Sequence, residues 1–194
     1  MVLVLQIWGG LFYLLNKIFL ACAEHTEKNE NTGRSLWRIW AWSIYLLGVP
    51  PWVIILARER KWIAAGLEAG GVPAMILGLI IAIKGSGREP KWLKYVIVTF
   101  IIIGIGYSIY DWRGIMKLAQ WYELVMITGF LIGTYQIARL KVSGYLWFIL
   151  MHLACIGMLN EIGKQGYQWL AATQGLSILF VWYSYFTKKA KING

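Results

Sequence analysis

Residues 92–112 read WLKYVIVTFIIIGIGYSIYDW. Lys94 and Asp111, one near each end, are its charged residues; the rest is aliphatic, aromatic or small. A helix of this length is ~30 Å long, the thickness of a bilayer's hydrocarbon core. The run does not alternate apolar with polar residues, which argues against a barrel strand. Six more runs of the same kind lie at 2–22, 37–57, 62–84, 119–138, 144–163 and 167–187. Three precede the quoted stretch and three follow it. A single span placed between two three-helix units lets both units point the same way across the membrane. The expected fold is therefore all-α and integral to the membrane: seven transmembrane helices in a 3+1+3 arrangement. Residues 1–84 form the first three-helix repeat, 85–113 the linker, and 114–194 the second repeat with a basic tail.

Composition points the same way. The 194 residues are 59% hydrophobic and 14% charged, against about 25% charged in ordinary soluble domains. The mean hydropathy is +0.58. Twelve Trp, 11 Tyr and 7 Phe exclude a disordered chain. Cys22 and Cys155 both sit in apolar stretches, which excludes a disulfide scaffold and a zinc ribbon. The first run lacks a basic segment before it and is read as a retained span, not a cleaved signal peptide.

The net charge of +10 is placed at the ends of runs, which favours loop anchoring over nucleic-acid binding. One side would carry Lys28, Arg34, Arg38, Lys84, Arg88, Lys91, Lys94, Arg139, Lys141, Lys188, Lys189 and Lys191. The other would carry Arg58, Arg60, Lys61, Arg113, Lys117 and Lys164. The positive-inside rule then puts the C-terminus in the cytoplasm and the N-terminus outside. Trp37, Trp52, Trp62, Trp92, Trp112, Trp121 and Trp169 fall at run ends, where indoles favour the lipid–water boundary.

A shift of 107 residues lays 36–65 on 143–172. Trp40 meets Trp147, Leu46 meets Leu153, Ile55 meets Ile162, and Trp62-Ile63-Ala64-Ala65 meets Trp169-Leu170-Ala171-Ala172. The shared block opens the third helix of each half, as parallel repeats require.

The order of features in 119–190 is distinctive. A helix ends in Ala138-Arg139-Leu140-Lys141. An aromatic run follows, Tyr145-Leu146-Trp147-Phe148-Ile149. Then come the turn Lys164-Gln165-Gly166-Tyr167, a last helix and a basic tail. This order resembles the C-terminal half of the PnuC family, bacterial transporters of nicotinamide riboside and related vitamins with SWEET-like architecture. Members carry W-x-x-W at the start of the sixth helix, then an Asn. Trp147 matches the second Trp, Gly144 stands at the first, and Met151, beside His152, stands at the Asn position. The resemblance implies an inner (plasma) membrane transporter, a vitamin or nucleoside-like solute, a homotrimer, and a cytosolic kinase that traps the solute after entry. A SWEET-like sugar transporter is the neighbouring reading. Its Pro-Gln signature is absent, and Pro50-Pro51 occupies a comparable place.

Polar groups at membrane depth are costly and usually face a bundle interior or a wet cavity. Glu68 lies about two turns into the third run. It is read either as an acceptor for ligand hydroxyls or as an ion-pair partner of Arg60 or Lys61. Gln174, Ser177, Val181 and Tyr185 fall on one helical face, with Ser184 at its edge. That stripe suits a solute cavity or plain interhelical hydrogen bonding. His152 lies mid-span opposite Tyr45 in the repeat alignment. Trp40 and Trp147 could sandwich an aromatic ligand or anchor at the interface. Tyr135 and Gln136 close the fifth run, and Asn16 and Lys17 lie near the end of the first; all four are read as gates or interfacial anchors. The expected substrate-binding set is Trp40, Glu68, Tyr135, Gln136, Trp147, His152, Gln174 and Ser177.

No catalytic residue, metal site or cofactor is expected. An enzyme would need clustered acids or a Ser/His constellation, and two His with scattered acids do not supply one. A retinal protein would need a Lys in the middle of the last span, and 167–187 has none. A membrane scaffold or assembly protein is the remaining alternative. The reading adopted is a facilitative transporter, uncoupled to any gradient, whose partners are a small-molecule solute and the lipid bilayer.

Overall fold

The computed structural model describes residues 2–27, 34–58, 62–111, 118–162 and 168–193. Its regular elements are helices, with no strand among the described residues: α1 (Val2–Thr26), α2 (Leu36–Arg58), α3 (Trp62–Gly70), α4 (Val72–Lys84), α5 (Lys91–Asp111), α6 (Leu118–Ala138), α7 (Ser143–Ile162) and α8 (Gln168–Asn193). By length and composition, α1 over Leu3–Thr26 and α2 over Leu36–Ile55 could cross a membrane, and α7 carries a shorter apolar stretch, Ser143–Met158. The turn Lys164-Gln165-Gly166-Tyr167 and the basic residues Lys28, Arg60, Lys61, Arg113 and Lys117 lie outside the described residues, as do the side chains of Trp62, Trp112 and Trp169.

Local chemistry explains two features of the chain path. The run 62–84, expected as one helix, is divided at Gly71 into α3 and α4. Pro73 lies in the first turn of α4. It has no N–H for the carbonyl of Ala69, and its ring excludes that carbonyl. A Cβ at Gly71 would come within 2.5 Å of the Phe130 ring, so the break is also where α4 meets α6 closely. Between α6 and α7 the chain reverses through Leu140 at φ 60. The Lys141 N–H donates to the Gln136 carbonyl at 2.8 Å and the Leu140 N–H to the Ile137 carbonyl at 2.9 Å. That pair of bonds is a Schellman motif, with Leu where Gly is usual.

Helix packing closes a ring. α1 packs on α2, α2 on α4, α4 on α6, α6 on α7, α7 on α8, and α8 back on α1. α3 extends the α2 contact, and α5 lies outside the ring against α3, α4 and α6. The same pattern occurs in both halves: first helix on second, second on third, and each half's first helix on the other half's third.

Residues 107 apart are buried in pairs. On α2 and α7 these are Arg38 with Tyr145, Ala41 with Phe148, Trp42 with Ile149, and Tyr45 with His152. On α4 and α8 they are Ala74 with Val181, Leu77 with Ser184, and Ile81 with Lys188.

Buried polar side chains stand within a larger apolar core. Asn16, Lys17, Glu24, Arg38, Thr134, His152, Ser177, Ser184 and Lys188 are buried. The exposed surface carries large apolar side chains on almost every helix, among them Ile7, Leu47, Ile83, Ile102, Leu150 and Leu179.

Candidate functional site

α1 brings Asn16 and Lys17 into the middle of the ring. Lys17 lies ~13 Å along the axis from the Thr26 end, and it is 1% exposed. Its Nζ donates to Asn16 Oδ1 at 2.8 Å, and Asn16 Nδ2 donates to the Ala41 carbonyl at 3.0 Å. The ammonium sits over two aromatic faces, 4.3 Å from the Tyr45 centroid and 4.1 Å from that of Phe148. Such contacts are worth ~2 kcal/mol when desolvated, but they supply no counter-charge. Among the described residues no carboxylate pairs with Lys17.

Aromatic rings surround Lys17. Tyr45 meets Tyr13, Phe130 and Phe148 edge-on at 4.8, 6.3 and 6.4 Å, the geometry that ring quadrupoles favour. The Tyr13 hydroxyl donates to Glu68 Oε1, which ties α3 to α1. His152 Nδ1 bonds Gln174 Oε1 between α7 and α8, and its ring stands edge-on to Phe148 at 6.3 Å. Tyr45 Oη, Thr134 Oγ1 and His152 Nε2 are buried without a hydrogen-bond partner. Groups of this kind are nearly always satisfied in native structures, so their gathering in one region marks a place for a polar guest.

A second polar cluster closes the end of the ring where α1 finishes. Glu24 Oε1 accepts from Arg38 Nη2 at 2.9 Å, the Tyr145 hydroxyl at 2.5 Å and Lys188 Nζ at 3.3 Å. Arg38 Nε also donates to both oxygens of Glu27, at 2.8 and 3.0 Å. Lys191 Nζ donates to the carbonyls of Glu24 and Glu27. Four helices, α1, α2, α7 and α8, are thereby pinned together by groups largely removed from solvent.

The expected site residues fall into two sets. Glu68, His152, Gln174 and Ser177 are turned towards neighbouring helices, with His152 and Ser177 each 3% exposed. Trp40 is on the outer surface, 58% exposed. Gln136 accepts from Ser143 Oγ at 2.6 Å and belongs to the α6–α7 turn. Tyr135 packs on the apolar core. Trp147 is partly buried, and its carbonyl lies against Gly129 of α6. Glu68 bonds Tyr13; Arg60 and Lys61, the ion-pair partners expected for it, lie outside the described residues.

Sequence reasoning placed Lys17 at a span end and read Arg38 and Lys188 as loop or tail anchors. All three are buried. The available signal was helical spacing: Lys17 follows Tyr13 by one turn, and Lys188 follows Ser184 and Val181 on the stripe already marked by Ser177. Among the described residues no group of three His, Cys, Asp or Glu could hold a metal ion. Comparison with protein-family models, curated proteins and solved structures returns no match to this chain.

Proposed function

We propose that the chain is a membrane transporter that carries a small polar solute through the centre of the helix ring by facilitated diffusion. In this reading the seven apolar runs all span, α3 and α4 together forming the third, and the halves are parallel repeats joined by α5. The observation that carries it is a set of buried polar groups, several of them without a partner, enclosed by helices whose outer faces are rich in large apolar side chains. A membrane protein pays for buried polar groups only where they serve a pathway, a partner or a ligand. The buried pairs at a spacing of 107 residues and the matching packing of the two halves support the repeat. A site between two such repeats is where alternating-access carriers hold their solutes.

The cluster around Glu24 acts as a gate in this scheme. It joins the first half (α1, α2) to the second (α7, α8) and blocks one end of the ring. Opening that end requires Arg38 and Lys188 to part from Glu24. The solute class suggested by the PnuC resemblance is a vitamin or nucleoside.

The test is exchange in proteoliposomes. The purified chain is reconstituted and loaded in turn with neutral, cationic and carboxylate-bearing vitamins and nucleosides. Counterflow of at least one labelled solute, absent from empty liposomes, is the expected result. No exchange of any of them would contradict the transporter reading and leave the scaffold alternative.

A further inference from the structure

Resting on the transporter reading, we infer that Lys17 is the anion-binding element of the solute site and that the solute carries a carboxylate. Charge is unbalanced around Lys17. Lys17 is buried at mid-ring with one hydrogen bond, to a neutral amide. Glu24, Glu27 and Glu68 are all otherwise engaged, with Arg38, Lys188 and Tyr13. A buried ammonium without a counter-ion is costly, and a carboxylate guest would remove that cost.

The surroundings suit such a guest. The rings of Tyr45 and Phe148 hold the ammonium by their faces and prevent it from swinging outward to lipid headgroups. Tyr45 Oη and Thr134 Oγ1 are buried hydroxyls that face each other between α2 and α6. They belong to neighbouring parts of one wall, since Thr134 lies one turn beyond Phe130, whose ring meets Tyr45. His152 Nδ1 bonds the Gln174 side chain, and in the tautomer with the proton on Nδ1 its Nε2 is an acceptor. Lys17 and His152 approach the same Phe148 ring. This part of the interior therefore offers an ammonium for a carboxylate and, at His152 Nε2, an acceptor for an N–H or O–H on the same molecule. A pyridinium solute such as nicotinamide riboside would meet a like charge there, so the carboxylate departs from the cargo that the PnuC resemblance implies.

The experiment uses the full chain purified in detergent, with benzoate, nicotinate and lactate each compared with its neutral amide by equilibrium binding. At least one carboxylate should bind about ten- to a hundredfold more tightly than its amide, the range of a charge-assisted hydrogen bond. Lys17→Met should abolish that preference and Lys17→Arg should retain it. Carboxylates that bind no better than their amides, or a preference that survives Lys17→Met, would overturn the inference. If Lys17→Met does not yield folded protein, the wild-type preference decides alone. Proteoliposomes that exchange a neutral or cationic solute, with no competition from any carboxylate, would refute the anion site and leave transport standing. Lys17-dependent carboxylate binding without exchange of any solute would refute transport and leave the anion site standing.

Discussion

Replacing Glu24 by Gln removes the one carboxylate shared by Arg38, Tyr145 and Lys188. The side chain keeps its size, so little packing is lost. What changes is charge: the contact of Lys188 with Glu24 at 3.3 Å is lost, and among the described residues Arg38 keeps Glu27. Arg38 is already short of a partner at Nη1, which is buried and unbonded. Removing one member of a buried ion pair costs about 3–5 kcal/mol, because the remaining charge stays desolvated. In a chain of this size each kcal/mol lowers the thermal midpoint by about 2–4 °C, so Glu24→Gln should unfold roughly ten degrees below wild type. Intrinsic tryptophan fluorescence during heating in detergent reads this directly. The coupling is checked with Arg38→Met: the double variant should be destabilised by clearly less than the sum of the two single effects. A drop of only a degree or two for Glu24→Gln, or strict additivity with Arg38→Met, would refute the buried network as a structural latch.

Other outcomes follow from the same packing. Gly129→Ala should destabilise by about 1–3 kcal/mol, because its Cβ would stand 2.7 Å from the Trp147 carbonyl, a backbone atom that cannot move aside. Gly106→Ala on α5 has open space around it and should be neutral or stabilising by up to ~1 kcal/mol, as thermal unfolding would show. Trp40→Ala should leave solute exchange unchanged, since the ring faces outward, whereas Glu68→Gln should weaken binding about tenfold or more if Glu68 contacts the solute. A C-terminal tag should resist an impermeant label in intact cells and react after permeabilisation.

The helical character of every run was readable from the sequence, because continuous apolar stretches of this length leave few other structures. The inward face of α8 was readable in part: Ser177 and Val181 of the expected stripe and Ser184 at its edge are buried, whereas Gln174 and Tyr185 are half-buried. The orientation of α2 was not. Its apolar residues surround the helix, so nothing in the pattern distinguishes the lipid-like face from the core. Trp40, read as a ligand sandwich or an interfacial anchor, is 58% exposed, while Trp42 and Tyr45, both 1% exposed, supply the central aromatic wall. Charges near helix ends were ambiguous for a related reason. A Lys or Arg there can reach outward to the interface or turn inward to a carboxylate, and only the packing of α1 against α2 and α8 brings Glu24 within reach of Arg38 and Lys188. The break at Gly71 was signalled by Gly70, Gly71 and Pro73 in succession, but a hydropathy reading carries straight across it.

The central claim is that the interior of the ring is a water-accessible solute path and its exterior a lipid surface. Single cysteines placed at Thr134 or Ser177 test the interior, and at Leu150 or Leu179 the exterior, with Cys22 and Cys155 replaced by Ser. Membranes are treated with a charged, impermeant thiosulfonate. The account predicts modification at positions 134 and 177, slowed by a transported solute, and none at 150 or 179. Rapid modification at 150 and 179 with 134 and 177 inert in every condition would contradict it.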